Sequence, residues 1–347
     1  MSLLKCCLPA SWLLGSCLLG SLLIACGPSQ GSPSDAGLPD AQQADAGPPG
    51  TCPRVILMIG DGMGRGQLAA ATERAGALFM PTLPSHGELV TGSLSGITDS
   101  AAAATTMATG LRTFNTRIGM GSKGEDLETL VDLARSKGMR SGVVSTAYLS
   151  HATPASFTAY RDSRHDTTGI AADQAITGAD IMLGGGKKFL SPHFDAMQAK
   201  GYKVITTQQQ LDQASGEQVL GVFSEEHMDY VIDRSATTTQ PTLSQMSIKA
   251  LDLLEDSGDG FFLMIEGARI DMASHLNDFE RAVTETVAFD QAIKDVAAWA
   301  ASRPDVLLLV TADHECGGLQ LVPEVSWRWG EHTNARVDIC LLYTSPS

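Results

Sequence analysis

Four short, predominantly apolar runs restrict what this chain can fold into. Residues 54–59 (RVILMI), 139–147 (MRSGVVSTA), 261–265 (FFLMI) and 306–311 (VLLLVT) show no apolar/polar alternation. A strand that alternates buries one face, whereas a strand that is apolar throughout is buried on both. Between these runs lie stretches with a helical period: 125–137 places Leu127, Leu130, Val131 and Ala134 on one side, and 242–255 and 279–301 behave the same way. The two patterns in alternation predict an α/β fold, a three-layer sandwich with a mainly parallel central sheet covered by helices on both faces. No internal repeat is visible.

The chain has 347 residues, 43% of them hydrophobic and 18% charged, a composition that excludes disorder as the main state. Lys and Arg number 24 against 39 Asp and Glu, a net charge of −15 without a basic cluster, so no nucleic-acid binding is expected. Lys5 precedes an apolar run that ends in Leu23-Ile24-Ala25-Cys26, which resembles a bacterial lipobox. Residues 1–25 read as a lipoprotein signal peptide, with lipid on Cys26 as the membrane attachment and a flexible tether to residue 50. The alternative is an uncleaved anchor, for which the apolar stretch is short. Gly27 after the cysteine fits outer-membrane sorting, so the expected location is the periplasm or cell envelope. Of the seven cysteines only Cys52, Cys316 and Cys340 follow Cys26, and no CxxC occurs, so neither a zinc–thiolate site nor a disulfide framework is supported.

In open parallel sheets the site lies beyond the carboxyl ends of the strands. Carboxylates stand there three times: Asp61 after the first run, Glu266 after FFLMI and Asp313 after VLLLVT. One such residue is an ordinary turn or cap former, but three, each accompanied by His, Thr or another Asp, point to a site. Asp313-His314 offers the oxygen and nitrogen that zinc accepts, or else is a turn Asp beside a solvated His. Asp271 and His275 are i and i+4 on a helix opening nearby, placed to chelate one ion or to form an exposed pair. In TDSAAAATT the alanines favour a helix with Ser100 in its first turn, where free N–H groups favour phosphate; Asp99 or Ser100 is alternatively a plain N-cap.

Six motifs now stand in order: Asp61-Gly62-Met63-Gly64; Thr98-Asp99-Ser100-Ala101-Ala102; His151-Ala152-Thr153-Pro154-Ala155; Glu266-Gly267-Ala268 with Asp271 and His275; Thr311-Ala312-Asp313-His314-Glu315; and Glu331-His332-Thr333. Over about residues 53–337 they resemble the motif set of the alkaline phosphatases. The resemblance implies metal-dependent hydrolysis of small phosphate monoesters through a phosphoserine on Ser100, and it suggests a homodimer. It further implies two Zn2+ and one Mg2+. Asp271, His275 and His332 match the ligands of one zinc, Asp61, Asp313 and His314 those of the other, and Asp61, Thr153 and Glu266 the magnesium set, whose oxygens suit that hard ion. Arg164 matches the arginine that forks two phosphate oxygens, with Arg161 as its rival.

Several positions depart from the pattern. His151 stands where the enterobacterial enzyme has Asp, and Met272 where it has Lys, so a water-mediated phosphate contact is expected to be missing and His151 to hydrogen-bond behind the ligands. His165, His193 and His227 match no ligand and are expected at the surface or at caps, and Cys316 is expected to pack. The catalytic domain is expected over 51–337. The ending DICLLYTSPS does not look like the family, so residues 338–347 are expected outside the domain, with a sheet edge left open. Competing readings are a phosphodiesterase or phosphonate hydrolase of the same superfamily, or a truncated, inactive lipoprotein that binds phosphate or metal.

Overall fold

Each of the four apolar runs is a strand in the structure, a computed structural model that describes residues 54–255 and 260–344. The expected leader, Cys26, the tether and Cys52 lie outside the described residues. The strands are β1 (Arg54–Gly60), β2 (Ser85–Leu89), β3 (Arg140–Tyr148), β4 (Ile181–Gly185), β5 (Lys203–Ile205), β6 (Val219–Val222), β7 (Phe261–Gly267), β8 (Val306–Thr311), β9 (Glu315–Cys316), β10 (His332–Thr333) and β11 (Val337–Tyr343). The helices that cover the sheet or carry site residues are α1 (Arg65–Ala75), α2 (Ser100–Thr109), α3 (Leu130–Ser136), α4 (Ala152–Ala155), α5 (Thr167–Thr177), α6 (Leu243–Glu255), α7 (Arg269–His275) and α8 (Phe279–Ala301).

Nine strands form one sheet in the order β2-β11-β8-β1-β7-β3-β4-β6-β5, and β9 and β10 form a separate ribbon. Pairings from β8 through β5 are all parallel; β11 alone runs antiparallel, to both β8 and β2. Both faces are covered, which is why the runs are apolar throughout. Ile56, Met58, Val144, Leu263 and Val310 meet α6 and α8 on one side. Val55, Leu57, Val143, Phe262 and Met264 meet α2, α3 and α5 on the other. In α8 the buried stripe Phe289, Ala292, Ile293, Val296, Ala297 and Ala300 follows the helical period onto the sheet. The expected three-layer α/β architecture is the one observed. Among the described residues no helix is long and apolar enough to cross a membrane.

Two expectations need correction. The helix expected over 125–137 starts only at Leu130, because Thr129 and Asp132 close a reciprocal capping box: Asp132 N–H donates to Thr129 Oγ1 (3.2 Å) and Thr129 N–H to Asp132 Oδ2 (3.0 Å). Leu127 is buried from the preceding loop. The segment after 337, expected outside the domain, is β11, in the sheet between β8 and β2. Its side chains alternate: Ile339 and Leu341 pack into one core and Cys340 and Leu342 into the other, the same two-sided character as β1. Strand β8 is therefore not an edge.

Candidate active site

The carboxyl ends of β1, β7 and β8 bring the strand-end carboxylates together. Asp61 and His314 are fully buried and Asp313 is 2% exposed. The backbone N–H groups of Gly62 (3.1 Å) and His314 (2.9 Å) both donate to Asp313 Oδ1, which turns Oδ2 inward, 3.2 Å from His314 Nε2. The same nitrogen lies 3.5 Å from Asp61 Oδ1 and 3.3 Å from Ser100 Oγ. Gly62 permits this approach: its φ is +70°, and a Cβ there would fall 2.7 Å from Asp271 Oδ1.

That contact leads to a second group. Asp271, in the first turn of α7, faces His275 one turn on, with Oδ2 3.3 Å from His275 Nε2, and its Oδ1 lies 3.4 Å from His332 Nε2. The outer ring nitrogens are engaged elsewhere: His275 Nδ1 donates to Gly330 O (2.6 Å) and His332 Nδ1 to Thr98 O (2.9 Å). These bonds aim both Nε2 atoms at one point, where they stand 3.0 Å apart. Cys316, expected only to pack, joins this group, because it pairs with His332 across the β9–β10 ribbon and its sulfur lies within 4.8 Å of the Asp271, His275 and His332 donor atoms.

A third group joins Asp61 to Glu266 and His151. Ser145 Oγ on neighbouring β3 donates to Glu266 Oε2, while Ala147 N–H donates back to Ser145 Oγ (2.8 Å). His151, expected behind the ligands, lies close enough to Asp61 and Glu266 for the three to share a cation, and its Nε2 accepts from Arg164 Nη2 (3.3 Å). His227, expected at the surface or a cap, packs its ring 5.4 Å from that of His151 and 4.6 Å from that of Tyr148. No short-range pattern marks it, since Tyr148 and His151 lie far from it along the chain.

Burial and mutual repulsion dominate the electrostatics. Asp61 is pushed well up, by burial first and then by Asp313, Asp271 and Glu266; burial takes Glu266 to about 7 and Asp313 to about 6. Asp271 is the exception: burial raises it, but His275 and His332 more than offset this and hold it well below the usual carboxylate range, while Asp271 lifts His275 to about 9. Asp61 Oδ1 and Oδ2, Thr153 Oγ1, Glu266 Oε1, Asp271 Oδ1 and Asp313 Oδ2 are buried without any hydrogen-bond partner. Such orphaned acceptors are costly, and their convergence beside histidine nitrogens fits divalent cations.

Ser100 opens α2 directly after its cap, Asp99, whose Oδ1 accepts from Ala102 N–H (3.0 Å). The other oxygen, Oδ2, accepts from Arg164 Nη1 (3.2 Å), so one carboxylate both caps the helix that Ser100 opens and holds Arg164. Arg161, the rival, is engaged elsewhere, with Asp173 (2.6 Å) and Gly169 O (3.0 Å). The structure thus gathers Asp61, Asp313, His314 and Ser100 at one point, Asp271, His275 and His332 at a second, and Glu266 with His151 at a third. Thr153, fully buried at the start of α4, adjoins Glu266.

The sequence profile described as alkaline phosphatase matches residues 53–344. Alkaline phosphatase 4 of Bacillus subtilis (strain 168) is 35% identical over 296 residues, 79% of this chain and 64% of that protein, so the chain spans about two thirds of its relative's length. Among solved structures, a cold-active alkaline phosphatase from the psychrophile Shewanella sp. superposes with a TM-score of 0.78 at 30% identity, covering 84% of this chain and 94% of that one. A variant of the alkaline phosphatase of the Antarctic bacterium TAB5, with Mg bound in its M3 site, superposes with a TM-score of 0.77 at 26% identity, covering 84% and 91%. The fold, the strand-end carboxylates and these matches agree: the chain belongs to the alkaline phosphatase family.

Proposed function

We propose that this chain hydrolyses phosphate monoesters through a phosphoserine on Ser100, using two Zn2+ and one Mg2+. The observation that carries the reading is the position of Ser100 Oγ: in the first turn of α2, 3.3 Å from His314 Nε2, beside buried carboxylate oxygens without partners. Asp271, His275 and His332 would hold one zinc, Asp61, Asp313 and His314 the other, and Asp61, Glu266 and Thr153, flanked by His151, the magnesium that the TAB5 variant's M3 site suggests. Bound there, the cations supply Lewis acidity, favouring the serine alkoxide and neutralising charge on the leaving oxygen.

The chain's own residues do the rest. Ser100 gives its proton to solvent, and its oxygen forms a bond to phosphorus as the ester P–O bond breaks, its electron pair staying on the leaving oxygen, which takes a proton from solvent and departs as the alcohol. The free N–H groups at the start of α2 face the transferred phosphoryl oxygens, and Arg164 forks two of them. Water then attacks phosphorus, releasing inorganic phosphate and restoring Ser100. Asp99 and His151 keep the Arg164 guanidinium in place. The fork rewards a dianionic monoester, so a methyl diester is expected to react more slowly. Labelled inorganic phosphate should be trapped covalently by the wild-type protein and not by Ser100→Ala; equal labelling of the variant overturns the assignment.

The leader and Cys26 motif support attachment through lipid at the outer membrane, facing the periplasm. Radioactive palmitate incorporation that survives Cys26→Ser would remove this reading. A second copy is the other proposed partner, for which the mass in light scattering is the test.

A further inference from the structure

We propose that Gln67 is a positioning residue that sets the spacing between the two groups of proposed zinc ligands, an inference that rests on the metal-dependent reading above. Gln67 lies in the first turn of α1, fully buried, and its amide bonds to the N-cap of its own helix and to two distant segments. Oε1 accepts from Gly64 N–H (3.2 Å), and Nε2 donates to Ser274 Oγ (3.1 Å) and to Cys316 O (2.7 Å). Gly64 stands three residues after Asp61, and Ser274 lies in α7 between Asp271 and His275. Cys316 follows His314 by two residues and pairs with His332. One side chain therefore ties together segments that carry five of the six proposed zinc ligands, and the sixth, His332, is reached through its pairing with Cys316.

The polarity of this junction requires an amide. Ser274 donates its own proton to Ile270 O (2.8 Å), so it meets Gln67 as an acceptor, and the Cys316 carbonyl is an acceptor as well. Two acceptors on one side and an N–H on the other match the two N–H donors and the oxygen of glutamine. A carboxylate of the same size would set an oxygen against both acceptors. The surroundings leave no slack: a Cβ on Gly64 would fall 2.1 Å from Glu315 Cγ, and one on Gly66 would fall 2.3 Å from Leu319 O. A shift of Gln67 must therefore pass to the ligand segments. Hydrogen-bond partners of the ligands themselves alter affinity by about 10–100-fold; Gln67 touches none of the six and acts through the segments that carry them, so an effect at the lower end of that range is expected.

The test measures Zn2+ affinity and stoichiometry by competition with a chromophoric chelator, together with the melting temperature in excess chelator. It compares the wild-type chain with Gln67→Glu, Gln67→Leu and Gln174→Leu. Gln174 is a matched control: 1% exposed, it donates to Leu149 O (2.7 Å) and Thr158 Oγ1 (3.0 Å), on segments that carry no proposed zinc ligand. Both Gln67 variants are expected to bind zinc about 10-fold more weakly. Gln174→Leu is expected to lower the metal-free melting temperature and leave zinc affinity unchanged. Wild-type zinc affinity in the Gln67 variants overturns the proposal, as does an equal loss of affinity in Gln174→Leu. Should neither Gln67 variant fold, Ser274→Ala, which removes one acceptor, is read in the same way, and unchanged affinity there is equally decisive. Failure of the wild-type chain to bind zinc would overturn the metal reading itself.

Discussion

Asp99 has two duties, one for each carboxylate oxygen. Oδ1 starts α2 by accepting from Ala102 N–H, while Oδ2 gathers Thr116 N–H (3.0 Å) and Arg164. Arg164→Ala is expected to raise KM for a monoester and weaken inhibition by inorganic phosphate, and Arg164→Lys should not rescue it, because an ammonium cannot fork two oxygens. Asp99→Ala should cost about 1 kcal/mol through the lost cap and raise KM in the same direction. Urea unfolding and steady-state kinetics on these variants check both expectations; an unchanged KM in Asp99→Ala breaks the link between cap and arginine. The capping duty is legible in the sequence, since an Asp before a run of alanines is a local signal. The second duty is not, because Arg164 stands 65 residues away. For the same reason Cys316 reads as packing and His227 as surface until the fold brings them against His332 and His151.

At the scale of the element, legibility follows burial. Strands β1, β7 and β8 are apolar on both faces and stand out against their flanks, so the order of strand and carboxylate is visible without coordinates. Strand β2 (SHGEL) is an exposed edge strand and carries no apolar period. Strand β11 has the two-sided pattern, but its place between β8 and β2 is set by long-range pairing, from Ile339 opposite Thr311 to Tyr343 opposite Leu307. Its pairing makes β11 the bridge through which β2 joins the sheet. Removing residues 337–347 should therefore release β2 as well and expose both cores along β8. The shortened chain is expected to lose its cooperative thermal transition by circular dichroism; an unaltered melting curve would show that β11 contributes nothing to the domain.

For the whole molecule, the net charge of −15 includes Asp61, Glu266, Asp271 and Asp313, acids buried at one site instead of spread over the surface. Without cations their electrostatics make the protein sensitive to alkali. In the metal-free fold His275 is held at about 9 by Asp271, against an ordinary 6.5. The folded state then keeps a proton that the unfolded chain releases, so this stabilisation is complete below the ordinary value and is lost as pH rises through about 9. Glu266, at about 7 because of burial, acts in the same direction, its share being mostly lost as pH rises through about 7, and burial raises Asp61 as well. His151, His227 and His314, which burial holds below their ordinary value, oppose this, but their unfolded counterparts have largely finished titrating by about pH 7. Between pH 7 and 9 the metal-free protein should therefore lose stability. Bound Zn2+ takes deprotonated ligands and removes that proton linkage. Calorimetric melting temperatures in chelator are expected to fall across this range while those in excess Zn2+ hold, so that the gap between them widens with pH. A gap that stays constant from pH 7 to 9 would mean that His275 and Asp271 do not act as a metal-replaceable pair.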